Sequence, residues 1–488
     1  MSKSEVTERE SDATEGEMAQ DLKEHLLPVV REVPPWEEEG ASPPEEEGPA
    51  GVRWGFDLNA HPVTRFLLTN RYVQPTLQLL TLGVFGWAVW QAFTGPADPE
   101  SNFGAVAFFG LWWAPFMIIS LMLVGRVWCY FCPIGAITQF LQRFSLDLRF
   151  PTFWKPKWKV FGLGLSVLSL AGVSFILARF PLYKFGVAAI PERMGVYFLV
   201  FLGIAVLLTF IFRQRVFCRY FCPATGVMSV TTRLSPIEIR QDRDSRVPDC
   251  MTAEFKSNYL STERRCVACM NCTTEQPEQS VRFQLRWPGA AAVRQRLLIP
   301  DEALIALVIW AVFPIDHVLG SRVLAESAWV QAMPTLLAES FPYLASIAAT
   351  ILAFALVSRV SAAWSGLDPR EAFVRFAFAY VPLGIMFQLG RHVIPGLMEN
   401  GGGLLNAFAG GLGIPLSVPV AWADPATVEA WTAFSAGGWL WLSVLWGVGI
   451  AWFVANGLAE DAAGAIKAVV PHVLLMIVST GMVVGFLG

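Results

Sequence analysis

Nine apolar blocks of membrane-spanning length constrain this chain more than any other feature of its sequence. The 488 residues are 54% hydrophobic and only 16% charged. About 20 apolar residues in a helix cross the roughly 30 Å hydrocarbon core of a bilayer, and backbone polar groups in that core need internal partners. We therefore predict an all-α polytopic membrane protein with about nine transmembrane helices. The predicted spans are Val73–Phe93, Phe103–Val124, Val160–Ala178, Met194–Phe212, Glu302–Ile315, Phe341–Val357, Phe373–Leu389, Trp439–Val454 and Val469–Leu487.

The charges between the spans predict the orientation of the chain. Lys and Arg concentrate in the regions that follow spans two, four and six, whereas the loop after span one carries Asp98 and Glu100. Cytoplasmic loops of membrane proteins carry an excess of Lys and Arg. We predict a multi-pass protein of the bacterial inner (cytoplasmic) membrane with its amino terminus and all cysteines on the cytoplasmic side.

Composition and repeats divide the chain into four parts. Residues 1–55 are acidic and rich in Pro and Glu, with too little apolar surface to offset the entropy of ordering, and we predict a disordered cytoplasmic tail there. Residues 56–240 hold two duplicated two-span units, each ending in a Cys-Pro motif. Residues 241–300 form a small cytoplasmic ferredoxin-like segment, and residues 301–488 add about five further transmembrane helices.

The two Cys-Pro motifs are near-copies of each other. RVWCYFCPIGAITQFLQRFS at Arg126–Ser145 aligns with RVFCRYFCPATGVMSVTTRLS at Arg215–Ser235. Sites in repeated membrane units commonly lie at the interface between the repeats. Cys129, Cys132, Cys218 and Cys222 would supply four thiolates there, enough for one [4Fe-4S] cluster. A copper site, a redox-active dithiol and chemically inert cysteines are the alternatives.

The prolines and arginines of these motifs suit a cluster. A proline after the second cysteine breaks the helix and leaves nearby NH groups free to point at a sulfur-rich centre. Arg126, Arg215 and Arg219 lie beside the cysteines. We expect them to lower the thiol pKa values and to offset the charge of a cluster.

A second cysteine motif, Cys266-x-x-Cys269-x-x-Cys272, lies in the ferredoxin-like segment. This spacing is the core of bacterial [4Fe-4S] ligation, whereas structural zinc prefers separated CxxC pairs. The fourth cysteine of the ferredoxin run is replaced by Gln276. Cys250 is otherwise unassigned, and we predict that it completes this cluster; a swap in which Cys132 or Cys222 caps it is the alternative.

At these cysteines the chain resembles the membrane polyferredoxins of the NapH/NosR type, which are related to cytochrome-oxidase assembly polyferredoxins. The resemblance covers residues 65–285 and implies electron transfer between the quinone pool or a cytoplasmic donor and a periplasmic partner. The chain departs from the family in its single incomplete ferredoxin motif and its five further spans. The matching positions are Cys129, Cys132, Pro133, Cys218, Cys222, Pro223, Cys266, Cys269 and Cys272.

Histidines in the carboxyl-terminal half suggest a second redox site. His317 and His392 fall at the outer ends of spans five and seven, and ionisable residues within membrane spans are functional candidates. The pair is predicted to bind haem b or to contact quinone, with interfacial or capping histidines as the alternative. His472 lies at the inner end of span nine and is not expected to join them.

The leading hypothesis is thus a membrane-bound electron-transfer protein with two [4Fe-4S] clusters and a membrane or periplasmic redox partner. The sequence has no nucleophile–base pair and no nucleotide-binding loop, so we expect an electron-transfer component without its own substrate site. It also has no basic patch for nucleic acid. A metal-handling assembly factor that reduces or delivers copper is the second hypothesis, and a cluster-regulated transporter is the third.

Overall fold

The computed structural model confirms a helical polytopic membrane protein. It describes residues 56–118, 125–148, 159–160, 163–164, 169–184, 186–212, 215–241, 266, 268–270, 281–293 and 300–487. The predicted disordered tail, Cys250 and Cys272 lie outside these residues. The α-helices are Pro62–Thr69, Val73–Thr94, Phe103–Ala107, Val127–Phe131, Pro133–Leu141, Ser169–Lys184, Pro191–Ile211, Pro223–Thr231, Ala290–Val293, Pro300–Trp310, Ala328–Gln331, Thr335–Ser365, Pro369–Phe376, Val381–Gln388, Ile394–Gly411, Pro425–Phe434, Leu440–Leu458 and Ala462–Leu487.

Segments of π-helix interrupt or extend several of these helices. An i→i+5 turn holds one more residue than an α turn, and such bulges are frequent at functional sites. The short 3-10 turns are Leu58–Ala60, Gln142–Phe144, Val187–Ala189 and Ala377–Tyr380. The π-helical segments are Phe108–Trp113, Phe217–Phe221, Ala311–Leu324, Leu389–Val393 and Ser435–Trp439.

The predicted number of nine spans is wrong for the part of the chain that the structure describes, which has seven helices long and apolar enough to cross a membrane. Predicted spans two and three are the two that fall short, with apolar helices at Phe103–Ile118 and Gly172–Leu182. At the predicted start of span three, Lys159–Val160 pairs with Leu163–Gly164 as a short antiparallel hairpin, and the described helix of this span is Ser169–Lys184. An apolar run does not by itself distinguish helix from strand, and the glycines near its start disfavour a helix.

Aspartate–proline pairs begin two of the long carboxyl-terminal helical runs. Asp368 Oδ1 accepts a hydrogen bond from the Glu371 amide at 2.8 Å, and Asp424 Oδ1 accepts one from the Thr427 amide at 3.0 Å. Each aspartate satisfies an NH group that the first helical turn leaves unpaired. The proline that follows each aspartate is preorganised for the first helical position. These starts are therefore encoded locally.

Two helical runs form the centre of the carboxyl-terminal half. In Pro369–Gly411 and Pro300–Leu324, 94% and 83% of the most apolar window is buried, against 28–44% in the other five spans. The two runs pack closely at Gly384, where an added Cβ would lie 2.8 Å from the Ile309 carbonyl oxygen. Thr335–Ser365, Pro425–Leu458 and Ala462–Phe486 pack against this pair, and the less buried spans keep an apolar face for lipid.

A small antiparallel sheet frames the ferredoxin-like segment. Its strand order is Phe56–Asp57, Val281–Leu285, Ile237–Gln241. The last two strands pair from Ile237 opposite Leu285 to Gln241 opposite Val281. The chain therefore leaves the sheet at Gln241 and returns to it at Val281, and these two residues are paired with each other at one end of the sheet. This hairpin anchors both ends of the segment that carries the CxxCxxC motif.

Candidate metal centre

The second cysteine of each Cys-Pro motif occupies the same position at a helix start. Cys132 precedes the helix Pro133–Leu141 with φ −63° and ψ 126°, and Cys222 precedes Pro223–Thr231 with φ −68° and ψ 120°. The Gly135 amide donates to Cys132 Sγ at 3.5 Å. Both thiols therefore lie where backbone NH groups and the positive end of the helix dipole favour negative charge.

The extra residue of the second motif is absorbed by a change of helix type. Val127–Phe131 before Cys132 is α-helical, whereas Phe217–Phe221 before Cys222 is π-helical. The Cys222 amide donates to the Phe217 carbonyl at 2.8 Å, an i→i+5 hydrogen bond. The π turn accommodates Arg219 and leaves the Cys-Pro geometry unchanged. This is why Cys-x2-Cys and Cys-x3-Cys serve equivalent positions.

All four cysteines of the two motifs come together between the repeats. Cys132 lies within electrostatic range of the thiols of Cys129, Cys218 and Cys222, and Cys222 within range of Cys218 and Cys129. The convergence that the repeat predicted is therefore present in the fold.

Side chains of the first repeat hold the second repeat in place. Thr138 Oγ1 lies 3.5 Å from Cys218 Sγ. Gln142 Oε1 accepts a hydrogen bond from the Arg215 amide at 2.8 Å, at a residue whose φ of 51° is unusual for a side-chain-bearing residue. Arg215 Nη2 donates to the Gly135 carbonyl at 2.6 Å. These contacts fix the distance between the two cysteine pairs.

Three arginines of the two motifs are buried, and two of them, Arg126 and Arg215, lie near the Cys129 thiol. Arg126, Arg215 and Arg219 expose 0%, 1% and 2% of their surface. Within the described residues, Nε and Nη1 of Arg215 have no hydrogen-bond acceptor. Buried charge is costly unless it is compensated. Guanidinium groups beside four cysteines therefore fit an anionic thiolate-ligated group.

Burial, rather than the arginines, dominates the thiol pKa values. Desolvation raises the pKa of Cys129, and the guanidiniums of Arg126 and Arg215 lower it by a smaller amount. Burial also raises the pKa of Cys132 and raises that of Cys222 to about 12. The arginines act in the predicted direction, but the net shift is the opposite of the one expected. The neutral thiol is favoured, so these cysteines lose protons when they bind metal.

The metal that the quartet would bind is not decided by its geometry alone. No group of three or more His, Cys, Asp or Glu side chains in the described part of the chain is placed to hold one metal ion. Four cysteine thiolates are the ligand set of a [4Fe-4S] cluster, and the assignment of these four to one cluster stays a prediction.

The CxxCxxC motif presents a backbone suited to sulfur ligands. Cys266 and Cys269 are half-buried and form no disulfide. The Ala268 amide donates to Cys266 Sγ at 3.3 Å, and Ala268 and Met270 have φ values of 46° and 57°. Successive amides in such conformations form anion-binding concavities. The ligand set proposed for this segment also includes Cys250 and Cys272, which lie outside the described residues, so that set stays a prediction.

A 4Fe-4S binding domain matches the chain twice, at residues 106–151 and 194–239. The first match contains Cys129 and Cys132, and the second contains Cys218 and Cys222. The chain carries two 4Fe-4S binding domains. The CxxCxxC motif lies outside both.

Curated relatives match the chain over part of its length. The chain is 25% identical over 197 residues to the putative electron transport protein YccM of Escherichia coli, which covers 36% of this chain and 55% of that protein. It is 30% identical over 141 residues to the regulatory protein NosR of Pseudomonas aeruginosa, covering 26% of this chain and 19% of NosR. No solved structure matches the chain. The resemblance to NapH/NosR-type polyferredoxins is thereby confirmed, and the chain spans about half of the first relative and a fifth of the second.

The two histidines predicted as a second site lie together, away from the 4Fe-4S binding domains. The ring centroids of His317 and His392 are 5.7 Å apart with the rings at 72°, and Phe387 packs against both. Both histidines lie in π-helical segments. His472 is fully buried and stacks on Phe376 at 4.3 Å, so it does not join them.

Several residues at the 4Fe-4S binding domains were not anticipated from the sequence. Thr138 and Gln142 contact the opposite repeat. In the sequence they are polar residues of a predicted helix, and nothing distinguishes them from solvent-exposed ones. Gln74 and Gln78 in the first turns of span one are buried. Two glutamines four residues apart in an apolar span are an unusual pattern. This pattern is the sequence signal from which a buried polar contact could have been predicted.

Proposed function

We propose that this chain is a membrane-bound electron-transfer protein with two [4Fe-4S] clusters on the cytoplasmic side of a bacterial inner membrane. One cluster is held by Cys129, Cys132, Cys218 and Cys222. The other is held by Cys266, Cys269, Cys272 and Cys250. Electrons pass between a quinone or cytoplasmic donor and a membrane or periplasmic redox partner. The single observation that carries this proposal is the convergence of both Cys-Pro motifs beside the buried Arg126 and Arg215.

The chain's own residues account for the conditions that such a site needs. A [4Fe-4S] cluster, when bound, supplies one-electron transfer. The cysteines fix its position, and the Gly135 and Thr225 amides stabilise negative charge on Cys132 and Cys222. Arg126, Arg215 and Arg219 compensate negative charge in a medium where it is weakly screened. A reduction potential depends on these same factors.

Removal of the Arg215 charge should lower the reduction potential of the cluster between the repeats. A charge about 8 Å away at an effective dielectric constant of about 20 contributes about 2 kcal/mol, or roughly 90 mV for one electron. We expect a shift of that size in Arg215→Gln, measured by redox titration followed by electron paramagnetic resonance. Arg215→Lys keeps the charge and should shift far less. Equal shifts in both variants would show that the hydrogen bond to Gly135, not the charge, sets the potential.

The membrane half supplies a place for electrons to enter or leave. His317 and His392 contact each other at the predicted outer ends of two central spans, and imidazoles bind haem iron and contact quinones. We propose that this pair binds quinone or haem b. A Soret band in the purified protein that disappears in His392→Leu identifies haem, and co-purified quinone that is lost in His392→Leu identifies quinone. A protein that holds neither contradicts this proposal.

The second candidate function is a copper-reducing or copper-delivering assembly factor. Paired cysteines at helix starts are suitable ligands for Cu(I), which prefers soft sulfur donors. Under this hypothesis the Cys-Pro pairs carry copper, and only the CxxCxxC segment carries iron. The two 4Fe-4S binding domain matches favour iron.

Metal and sulfide analysis separates the two functions. We expect about eight irons and eight acid-labile sulfides per chain after anaerobic purification, because two [4Fe-4S] clusters hold that number. The full-length protein in detergent should be used, with inductively coupled plasma mass spectrometry for all metals. About four irons together with bound copper would contradict the electron-transfer proposal and support the assembly factor.

A further inference from the structure

The buried side chain of Gln74 contacts both cysteine motifs at once. Gln74 Nε2 donates to the Tyr130 carbonyl at 3.2 Å and to the Ala268 carbonyl at 2.7 Å. Tyr130 lies between Cys129 and Cys132, and Ala268 lies between Cys266 and Cys269. Only 6% of the Gln74 surface is exposed. A single amide group thus joins the backbone of the two cluster-binding segments.

Apolar side chains also pack between the two cysteine motifs. Tyr130, Ala268, Met270 and Phe283 form one buried cluster, and Cys129 packs against it. The sheet that anchors the ferredoxin-like segment contributes Phe283 to this cluster. The CxxCxxC backbone is therefore pressed against the first Cys-Pro motif rather than separated from it by solvent.

Three hydrogen bonds link Cys266 to the first Cys-Pro motif through Gln74. The Ala268 amide donates to Cys266 Sγ at 3.3 Å, and the Ala268 carbonyl accepts from Gln74 Nε2. Gln74 Nε2 also donates to the Tyr130 carbonyl, and Tyr130 follows Cys129 in the chain. Covalent backbone bonds complete the path within Ala268 and from Tyr130 to Cys129.

We propose that Gln74 is a positioning residue that locks the two cluster sites together and makes them one electron-transfer unit. One electron leaves the reduced cluster of one site and enters the oxidised cluster of the other, and no proton or bond moves. This inference rests on the proposed function, since it requires two clusters. It adds that they exchange electrons directly, across the Tyr130–Gln74–Ala268 contact.

Gln78 offers a matched control four residues away on the same helix. Gln78 Nε2 also donates to the Tyr130 carbonyl, at 3.2 Å, and it is equally buried at 6%. This hydrogen bond lies within the first motif, so the loss of the Gln78 amide does not cut the bridge to Ala268. Comparison of the two positions separates the bridging role from the general cost of removing a buried amide.

The test is magnetic interaction between the clusters in the full-length protein. Both clusters are reduced with dithionite, and electron paramagnetic resonance spectra are recorded for the wild type, Gln74→Leu and Gln78→Leu. We expect spin–spin splitting in the wild type and in Gln78→Leu, and its loss in Gln74→Leu with iron still near eight per chain. Gln74→Asn keeps a polar group but is one methylene too short to reach both carbonyls, and it decides the matter if the leucine variant loses a cluster.

The possible results are distinguishable from each other. Splitting that persists in Gln74→Leu or Gln74→Asn with both clusters present overturns the bridging role. Two clusters in the wild type without any splitting overturn it as well. A wild-type protein with fewer than two clusters contradicts the proposed function itself, a result that iron analysis gives before any variant is made.

Discussion

Cys222→Ser is expected to remove about half of the iron from this protein. The substitution takes away one of the four thiolates between the repeats, and a [4Fe-4S] cluster depends on its cysteine ligands. Iron should fall from about eight to about four atoms per chain, and one of two electron paramagnetic resonance signals should disappear. The fold should tolerate the change because serine is a favourable residue at the N-cap, the position that Cys222 occupies before Pro223.

The complementary substitution identifies the other cluster. Cys250→Ser should remove the second signal and leave the one that Cys222→Ser abolishes, because we assign Cys250 to the CxxCxxC cluster. If both signals survive in Cys250→Ser, the ligand assignment in the ferredoxin-like segment is wrong, and a Cys-Pro cysteine takes its place. If Cys222→Ser retains about eight irons, the quartet between the repeats is not a cluster site.

Glu302→Ala is expected to lower the free energy of unfolding by about 3–5 kcal/mol, the usual effect of removing one partner of a buried ion pair. Glu302 forms an ion pair with Arg233, and their side chains are 0% and 8% exposed. Arg233 follows the second Cys-Pro helix, while Glu302 lies in the first turn of the central run Pro300–Leu324. Arg233 also lies over the Phe378 ring at 4.8 Å. The pair therefore fastens the second 4Fe-4S binding domain to the carboxyl-terminal helices.

Two controls distinguish the buried pair from ordinary surface charge. The double variant Arg233→Met/Glu302→Met removes both charges and should be more stable than Glu302→Ala, because no buried charge is left uncompensated. Glu371→Ala breaks the more exposed Arg375–Glu371 pair at 2.8 Å and should cost at most about 1 kcal/mol. Unfolding is followed by circular dichroism in detergent. A Glu302→Ala variant no less stable than Glu371→Ala would contradict this account.

The sequence allowed the membrane class and seven of its nine predicted spans to be identified, because apolar block length is a local property. Spans two and three are represented among the described residues by shorter apolar helices, and strands Lys159–Val160 and Leu163–Gly164 pair at the predicted start of Val160–Ala178. Hydropathy does not record pairing between neighbouring segments. The predicted domain boundaries and the assignment of Cys250 stay predictions.

At the candidate site, too, the sequence predicted the local features and only the fold showed the long-range ones. The duplicated motif placed Cys129, Cys132, Cys218 and Cys222 in one proposed quartet, because cysteines three or four residues apart share a helix face. Only the fold showed that a π turn at Arg219 equalises the two spacings. It also reversed the expected pKa shifts, since desolvation depends on burial by residues distant in the chain.

The sequence by itself determined the chemical identity of the ligands and the repeat that pairs them. The tertiary structure alone decided what connects them: Thr138 beside Cys218, Arg215 on Gly135, and Gln74 between Tyr130 and Ala268. The spacing of the ligands is a local property, because it depends only on a few consecutive residues of one motif. A contact such as Gln74–Ala268 joins positions 194 residues apart, and it exists only because packing brings span one, the first repeat and the ferredoxin-like segment together.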